Sequence, residues 1–210
     1  MRTKNLPKTA VELLGVRAQP RNARDRLLYK AIDLFYEHGF QAVGLDRIID
    51  EVGVTKTTFY KHFSCKDELM IEAIRMRDEW ERTAWRRAVR RIAGSDPREQ
   101  LLALFDVLDL WFNDPDFKGC IFINVAAEFP NPHDPIHQTA VVHKKAARDD
   151  VRDLAASAGV ADPETFADLY TAIVEGTLIM RHVHGKHDAA RTARPMVESL
   201  LTQYLPAEVA

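Results

Sequence analysis

The stretch Leu45–Phe63, LDRIIDEVGVTKTTFYKHF, joins two short amphipathic patterns through a glycine within 19 residues. Leu45, Ile48, Ile49 and Val52 recur at helical spacing, so the first segment has one face to bury. Gly53 stands where the chain must reverse, a place suited to a residue free to take positive φ. Thr55 can cap the second segment, in which Val54, Phe59 and Phe63 can turn inward. Lys56, Thr57, Thr58, Tyr60, Lys61 and His62 are then left outside. A helix face of hydroxyls and cations with one aromatic suits phosphates and base edges in a major groove.

Charge supports that reading. The 210 residues carry a net charge of −2, but unevenly: residues 1–94 hold 19 Lys and Arg against 13 Asp and Glu, and residues 95–210 hold 10 against 18. A basic first part joined to an acidic remainder fits a chain of which one region meets a polyanion. Hydrophobic residues make up 46%, enough for one large or two small cores. No apolar run approaches the ~18 residues of a membrane span, and the N-terminus lacks the apolar core of a secretory signal. With only two cysteines, Cys65 and Cys120, a disulfide scaffold is not expected and a reducing cytoplasm is.

Outward from the hairpin the chain reads as helix, so the class is all-α. Residues 1–20, with Pro7, Gly15, Pro20 and several cations, read as a flexible basic arm. Asn22–His38 forms an amphipathic helix stopped by Gly39. Ser64, with Asp67 three residues on, resembles a capping box opening a helix to about Arg91, broken by Gly94 and Pro97. Further helices are expected over Gln100–Asn113, Gly119–Phe129, about Pro135–Ser157 and Pro163–His184, the last capped by Asp162 before its proline. Pro195 places the regular part of a final helix near Arg194–Tyr204.

The segment from Arg21 onward, RNARDRLLYKAIDLFYEHGFQAVGLDRIIDEVGVTKTTFYKHFSCKDEL, resembles the N-terminal domain of the TetR (tetracycline repressor) family over residues 21–81. It carries the Leu-Phe…Gly-Phe spacing, the Gly-Val-Thr turn, the Thr-x-Tyr-x-x-Phe type of helix and Lys-Asp-Glu-Leu. The resemblance implies a three-helix DNA-binding domain (helix-turn-helix about 44–63) followed by a helical ligand-binding and dimerisation domain over 82–210. It also implies DNA contacts by Thr55, Lys56, Thr57, Thr58, Tyr60 and His62, and a phosphate contact by Lys66. Thr57, Thr58 and Tyr60 suit bases; Lys61, His62 and arm-side cations such as Arg24 suit the backbone. The sequence departs from the family pattern twice. Val43 and Gly44 replace the usual hydroxyl cap of the second helix, removing a common phosphate contact, and Cys65 replaces a serine.

The family arrangement is a homodimer on a palindromic operator, joined by two helices per subunit. Phe166, Tyr170, Ile173, Val174 and Thr177 recur at helical spacing, with Gly176 permitting close approach. Met196, Leu200, Leu201 and Tyr204 do the same on the last helix. Part of each stripe is also expected to be intramolecular core, with the two-helix interface as the favoured reading. An effector pocket is expected among Trp85, Phe105, Leu108, Trp111, Phe112, Phe122, Phe129 and Met180, with Asn124, His137 and His143 as polar anchors beside Glu128. These aromatics also suit plain core.

Other chemistries have less support. His133 and His137 are spaced as a metal pair, and His182, His184 and His187 cluster, but no cysteine partner stands nearby, so surface histidines are expected and no metal or other cofactor. Cys65 and Cys120 are the candidate redox-sensitive thiols. No nucleophile elbow or phosphate-cradling glycine loop is present, so an enzyme is not expected. The reading is a sequence-specific transcriptional regulator, a repressor released from its operator by a small, partly apolar effector.

Overall fold

A computed structural model describes residues 9–15 and 17–205. Among them the elements are α1 (Ala10–Leu14), α2 (Ala23–His38), α3 (Leu45–Val52), α4 (Lys56–Tyr60), α5 (Lys66–Ala93), α6 (Pro97–Phe112), α7 (Ile121–Glu128), α8 (Pro135–Ser157), α9 (Pro163–His184) and α10 (Ala189–Tyr204), with no strand among the described residues. The all-α expectation holds. No helix among the described residues is long and apolar enough to cross a membrane.

The chain divides into two compact units, and the division is not a single cut. One unit consists of Arg17–Glu81 together with Cys120–Lys144. The other consists of Arg82–Gly119 with the described residues of Met1–Val16 and Lys145–Ala210. Helices α5 and α8 therefore each contribute to both.

In the first unit, Asn22 caps α2 by accepting from the Asp25 amide, and Leu27, Leu28, Ala31, Ile32, Leu34 and Phe35 are its buried stripe. That stripe meets Ile48 and Ile49 of α3 and Phe59 of α4. Gly53 closes α3 in the left-handed region at φ 70°, the turn read from sequence. Phe63, Leu69, Met70, Ala73 and Ile74 complete the core from the start of α5.

In the second unit α10 packs on both α6 and α9. Asp96 caps α6 through the amides of Arg98 and Glu99, with Pro97 at the first position, so this helix starts three residues before the expected Gln100. Tyr170 and Phe166 fill the space between the helices; the Tyr170 hydroxyl donates to the Leu101 carbonyl at 2.6 Å. Outside the core, Arg148 bridges α8 to Glu164 and Asp168 of α9, and Arg194 joins Asp106.

Three local expectations change. Residues 10–14 of the supposed arm form a helix whose Ala10, Leu13 and Leu14 are buried, because Arg87 donates to the Leu14 carbonyl and Arg91 to the Glu12 carbonyl, satisfying its open C-terminal end. The helix α10 begins at Ala189, five residues before the expected Arg194, and runs through Pro195. The cost of a proline inside a helix, ~3 kcal/mol, is offset by the burial of Ala189, Ala190, Ala193 and Val197 on the side away from it. At the start of α5, the Ser64 amide and hydroxyl both donate to Glu68, not Asp67, at 2.6 and 2.7 Å.

Candidate nucleic-acid interface and regulatory residues

The α3–α4 hairpin presents its outward face as a consequence of its length. A five-residue helix can bury one turn, and in α4 that turn is spent on Phe59, which is fully buried, with Phe63 just beyond it. Thr55 caps the helix by accepting from the Thr58 amide at 3.1 Å, and its hydroxyl also meets that of Thr58 at 3.0 Å. Lys56, Thr57, Lys61 and His62 are exposed, Thr58 is half-buried, and Tyr60 is 57% exposed with its ring edge against Phe59.

The cations around this face differ in their freedom. Lys56 Nζ lies 2.8 Å from Asp46 of α3, and the hydrogen bond together with that carboxylate's charge raises the lysine's pKa. Arg24 is half-buried; it donates to Glu72 at 3.1 Å and lies over the Phe63 ring. Lys66, assigned to a phosphate by resemblance, donates instead to the Phe40 carbonyl at 2.8 Å and lies over Phe35; its partial burial lowers its pKa. Gly44 gives α3 no side-chain cap, as the sequence departure implied.

The residues read as effector-binding fall into two groups. Trp85 and Trp111 meet edge to face at 5.6 Å, and Trp111 and Phe112 also pack on Phe117, a residue the sequence reading did not single out. Arg181 lies over the Phe117 ring at 4.5 Å and donates to the Phe112 carbonyl. Trp85, Trp111, Phe117 and Met180 are half-buried. Phe105 and Leu108 are instead buried, Phe105 against Tyr170. The second group lies in the other unit. Phe122 stacks on His143 at 3.4 Å, His143 Nδ1 meets Asp78 at 2.7 Å, and His137 Nδ1 meets the carbonyl of the buried Phe129 at 2.7 Å. Asn124 is half-buried. Nearby, Arg77 pairs with Glu81 at 2.8 Å between the rings of Tyr36 and Trp80.

The stripe read for dimerisation mostly faces inward. Phe166, Tyr170, Thr177, Leu200 and Leu201 are buried within the chain, Ile173, Val174 and Tyr204 are half-buried, and only Met196 is largely exposed, at 58%. The reason is geometric: α6 and α10 occupy that side of α9. The opposite side carries a second apolar row. Leu169, Ala172, Gly176, Ile179 and Val183 are all exposed, at alternating spacings of three and four, and a Cβ on Gly176 would meet nothing within 4 Å.

Cys65 is exposed and Cys120 buried; burial pushes the Cys120 thiol up, although Lys144 stands 3.6 Å away. Among the described residues no cluster of three or more His, Cys, Asp or Glu is arranged to hold a metal ion.

Comparison with known proteins agrees with this geometry. The family described as bacterial regulatory proteins, tetR family, matches residues 27–73, and the tetracyclin repressor-like C-terminal domain matches residues 97–197. The chain is 25% identical to the HTH-type transcriptional regulator YjdC of Escherichia coli over 85% of its own length and 93% of the relative's. It is 34% identical to the HTH-type transcriptional activator FasR of Mycolicibacterium smegmatis over 48% of this chain and 46% of that one. The crystal structure of a TetR-family transcriptional regulator from Streptomyces coelicolor superposes with a TM-score of 0.79 at 30% identity, covering 88% of this chain and 96% of that one. All three relatives are described as transcriptional regulators or activators. With a three-helix reading domain, an exposed α4 face and both family halves matched in order, the chain belongs to the TetR family of DNA-binding transcriptional regulators.

Proposed function

We propose that this regulator is a homodimeric repressor that binds a palindromic operator through α4 and is released by a small, partly apolar effector. The observation that carries the DNA-reading part is the division of α4: Phe59 is sealed inside while Thr57, Tyr60, Lys61 and His62 stand outside. Thr57 and Tyr60 read bases, and Thr58 does so from the edge of the face. Lys56, Lys61 and His62 meet phosphates, and the capped start of α4 at Thr55 adds its amides to the same task. Arg24 and Lys66, engaged within the domain, support this surface more than they contact DNA.

The outer stripe of α9, with Met196 of α10, is the surface on which a second copy packs. It is apolar, helical in spacing and without a partner inside the described chain, and Gly176 lets two helices approach closely. Two-fold symmetry then dictates an inverted repeat in the DNA. The half-buried aromatic group of Trp85, Trp111 and Phe117 beside Arg181 is the effector site we favour, because it offers ring faces and one cation to a flat, weakly polar molecule.

The experiment is to capture genomic fragments on the purified protein, sequence them and footprint the enriched site. We expect a protected inverted repeat at the chain's own promoter or a neighbouring one. Capture with no enriched fragment would sink the operator reading. Weaker operator binding in the presence of an effector would support repression by release, and stronger binding would overturn it.

A further inference from the structure

Between α2 and α3 the chain makes a turn that is held from outside itself. Phe40 and Val43 are fully buried, so the turn has two fixed side chains. Its backbone is fixed as well. The Glu128 carboxylate, at the end of α7, accepts the Phe40 amide on Oε1 at 3.0 Å and the Gln41 amide on Oε2 at 2.8 Å. Lys66 holds the Phe40 carbonyl from the other side at 2.8 Å. Gly39 sits at φ 85° with its α-carbon so close that a Cβ would lie 3.1 Å from Glu128 Oε1. The Phe40 ring stacks on Phe35 at 4.8 Å and meets Phe129 edge-on at 6.2 Å, so the same turn is pinned by residues on both sides of Glu128's anchor.

We propose that Glu128 is a positioning residue for operator recognition: its two-pronged hold on the Phe40–Gln41 amides fixes the point from which the α3–α4 hairpin is launched. The need for such a hold comes from α3 itself. This helix begins at Leu45 with Gly44 as its cap residue, so its first amides have no side-chain cap of their own. A carboxylate accepting two adjacent amides makes charge-assisted bonds of defined direction, which a single neutral acceptor does not reproduce. The glutamate lies 88 positions from Phe40 in sequence, on a helix belonging to the same compact unit as the hairpin. Its neighbour Phe129 is held in turn by His137, so the anchor of the turn rests on the α7–α8 segment.

This inference rests on the operator reading above and is tested with the full-length protein. Affinities for the captured operator and for a random duplex of equal length are measured for wild type, Glu128→Gln and Lys66→Met, alongside helicity. Glutamine keeps the size and one acceptor but turns an N–H2 toward a backbone amide. We expect Glu128→Gln to lower the ratio of operator to random affinity about tenfold with helicity unchanged. Lys66→Met should lower the ratio in the same direction and leave the salt dependence of binding unchanged. A ratio within twofold of wild type for Glu128→Gln, or a parallel loss on both duplexes, overturns the positioning role. A fall of about one in the salt slope for Lys66→Met would make Lys66 a phosphate contact and remove it from the clasp. If wild type itself prefers no duplex, the operator reading fails and this inference fails with it; a selective wild type with an equally selective Glu128→Gln sinks this inference alone.

Discussion

In α4, five residues long, Phe59 is sealed while Lys56, Thr57 and Tyr60 are exposed and Thr58 is half-buried; in α9, 22 residues long, Phe166 and Tyr170 are sealed by α6 and α10 while a second apolar row stays exposed. The two helices are built by the same rule and differ in what remains after the core is satisfied. On α4 the remainder is hydroxyls, cations and one phenol, which water tolerates and DNA can replace. On α9 the remainder is Leu169, Ala172, Gly176, Ile179 and Val183, which water does not favour. A bare polar face and a bare apolar face therefore point to two different kinds of partner, a polyanion for one and another hydrophobic surface for the other.

The largest effect expected from breaking this contrast lies in the two cores. Phe59→Ala and Phe166→Ala should each cost ~3–5 kcal/mol, read from denaturant midpoints, because both rings are fully buried. A Phe166→Ala protein of wild-type stability but altered oligomeric state would reverse the inward and outward sides of α9. Next comes the bare apolar row. The pair Ile179→Glu and Val183→Glu should weaken self-association at least a hundredfold (~3 kcal/mol) in sedimentation while leaving the subunit helical. An unshifted dimer would remove this row from the interface. On the polar side, Tyr60→Ala should lower operator affinity about tenfold or more (~1–3 kcal/mol) with no loss of helicity. A loss of helicity there would make Tyr60 part of the core.

The smallest expected effect concerns the start of α5. Hydrogen bonds from the Ser64 hydroxyl and amide hold the Glu68 carboxyl below its ordinary value of 4.5. A carboxyl depressed in the folded state contributes stability above its unfolded pKa and loses it as the pH falls through the folded one. Ser64→Ala should therefore be slightly less stable than wild type near neutrality, with the gap closing below about pH 4, as thermal melts at the two pH values would show. A gap that persists in acid would mean that the serine acts by some route other than Glu68.

The elements were largely legible in the sequence, and so was the division of α4 into a buried Phe59 and exposed neighbours. Period, caps and breakers located α2, α3, α4 and α9, because Asn22, Gly53, Thr55 and Asp162 act on neighbours within four residues. What the sequence did not carry was which partner consumes a given stripe. Phe166 and Tyr170 read first as interface, and it is the presence of α6 and α10 against them that buries them within the chain. Lys66 is assigned to a phosphate by resemblance alone, and its hydrogen bond to the Phe40 carbonyl leaves no signature in a one-letter code. The same holds for Glu128, whose partners are two amides 87 and 88 positions away. The short helix at Ala10–Leu14 was missed because five residues give too little periodicity to register, and its ends are completed by arginines of α5.

The unit formed by Arg17–Glu81 with Cys120–Lys144 has a practical consequence for anyone recombining regulators of this kind. Cutting after residue 81 and grafting the front piece onto another sensor would strip away Ile121, Phe122, Val125 and Phe129, all buried in the intact chain, along with the carboxylate at Glu128. That compact unit is discontinuous in sequence, and a hybrid that keeps it whole carries both segments across the junction.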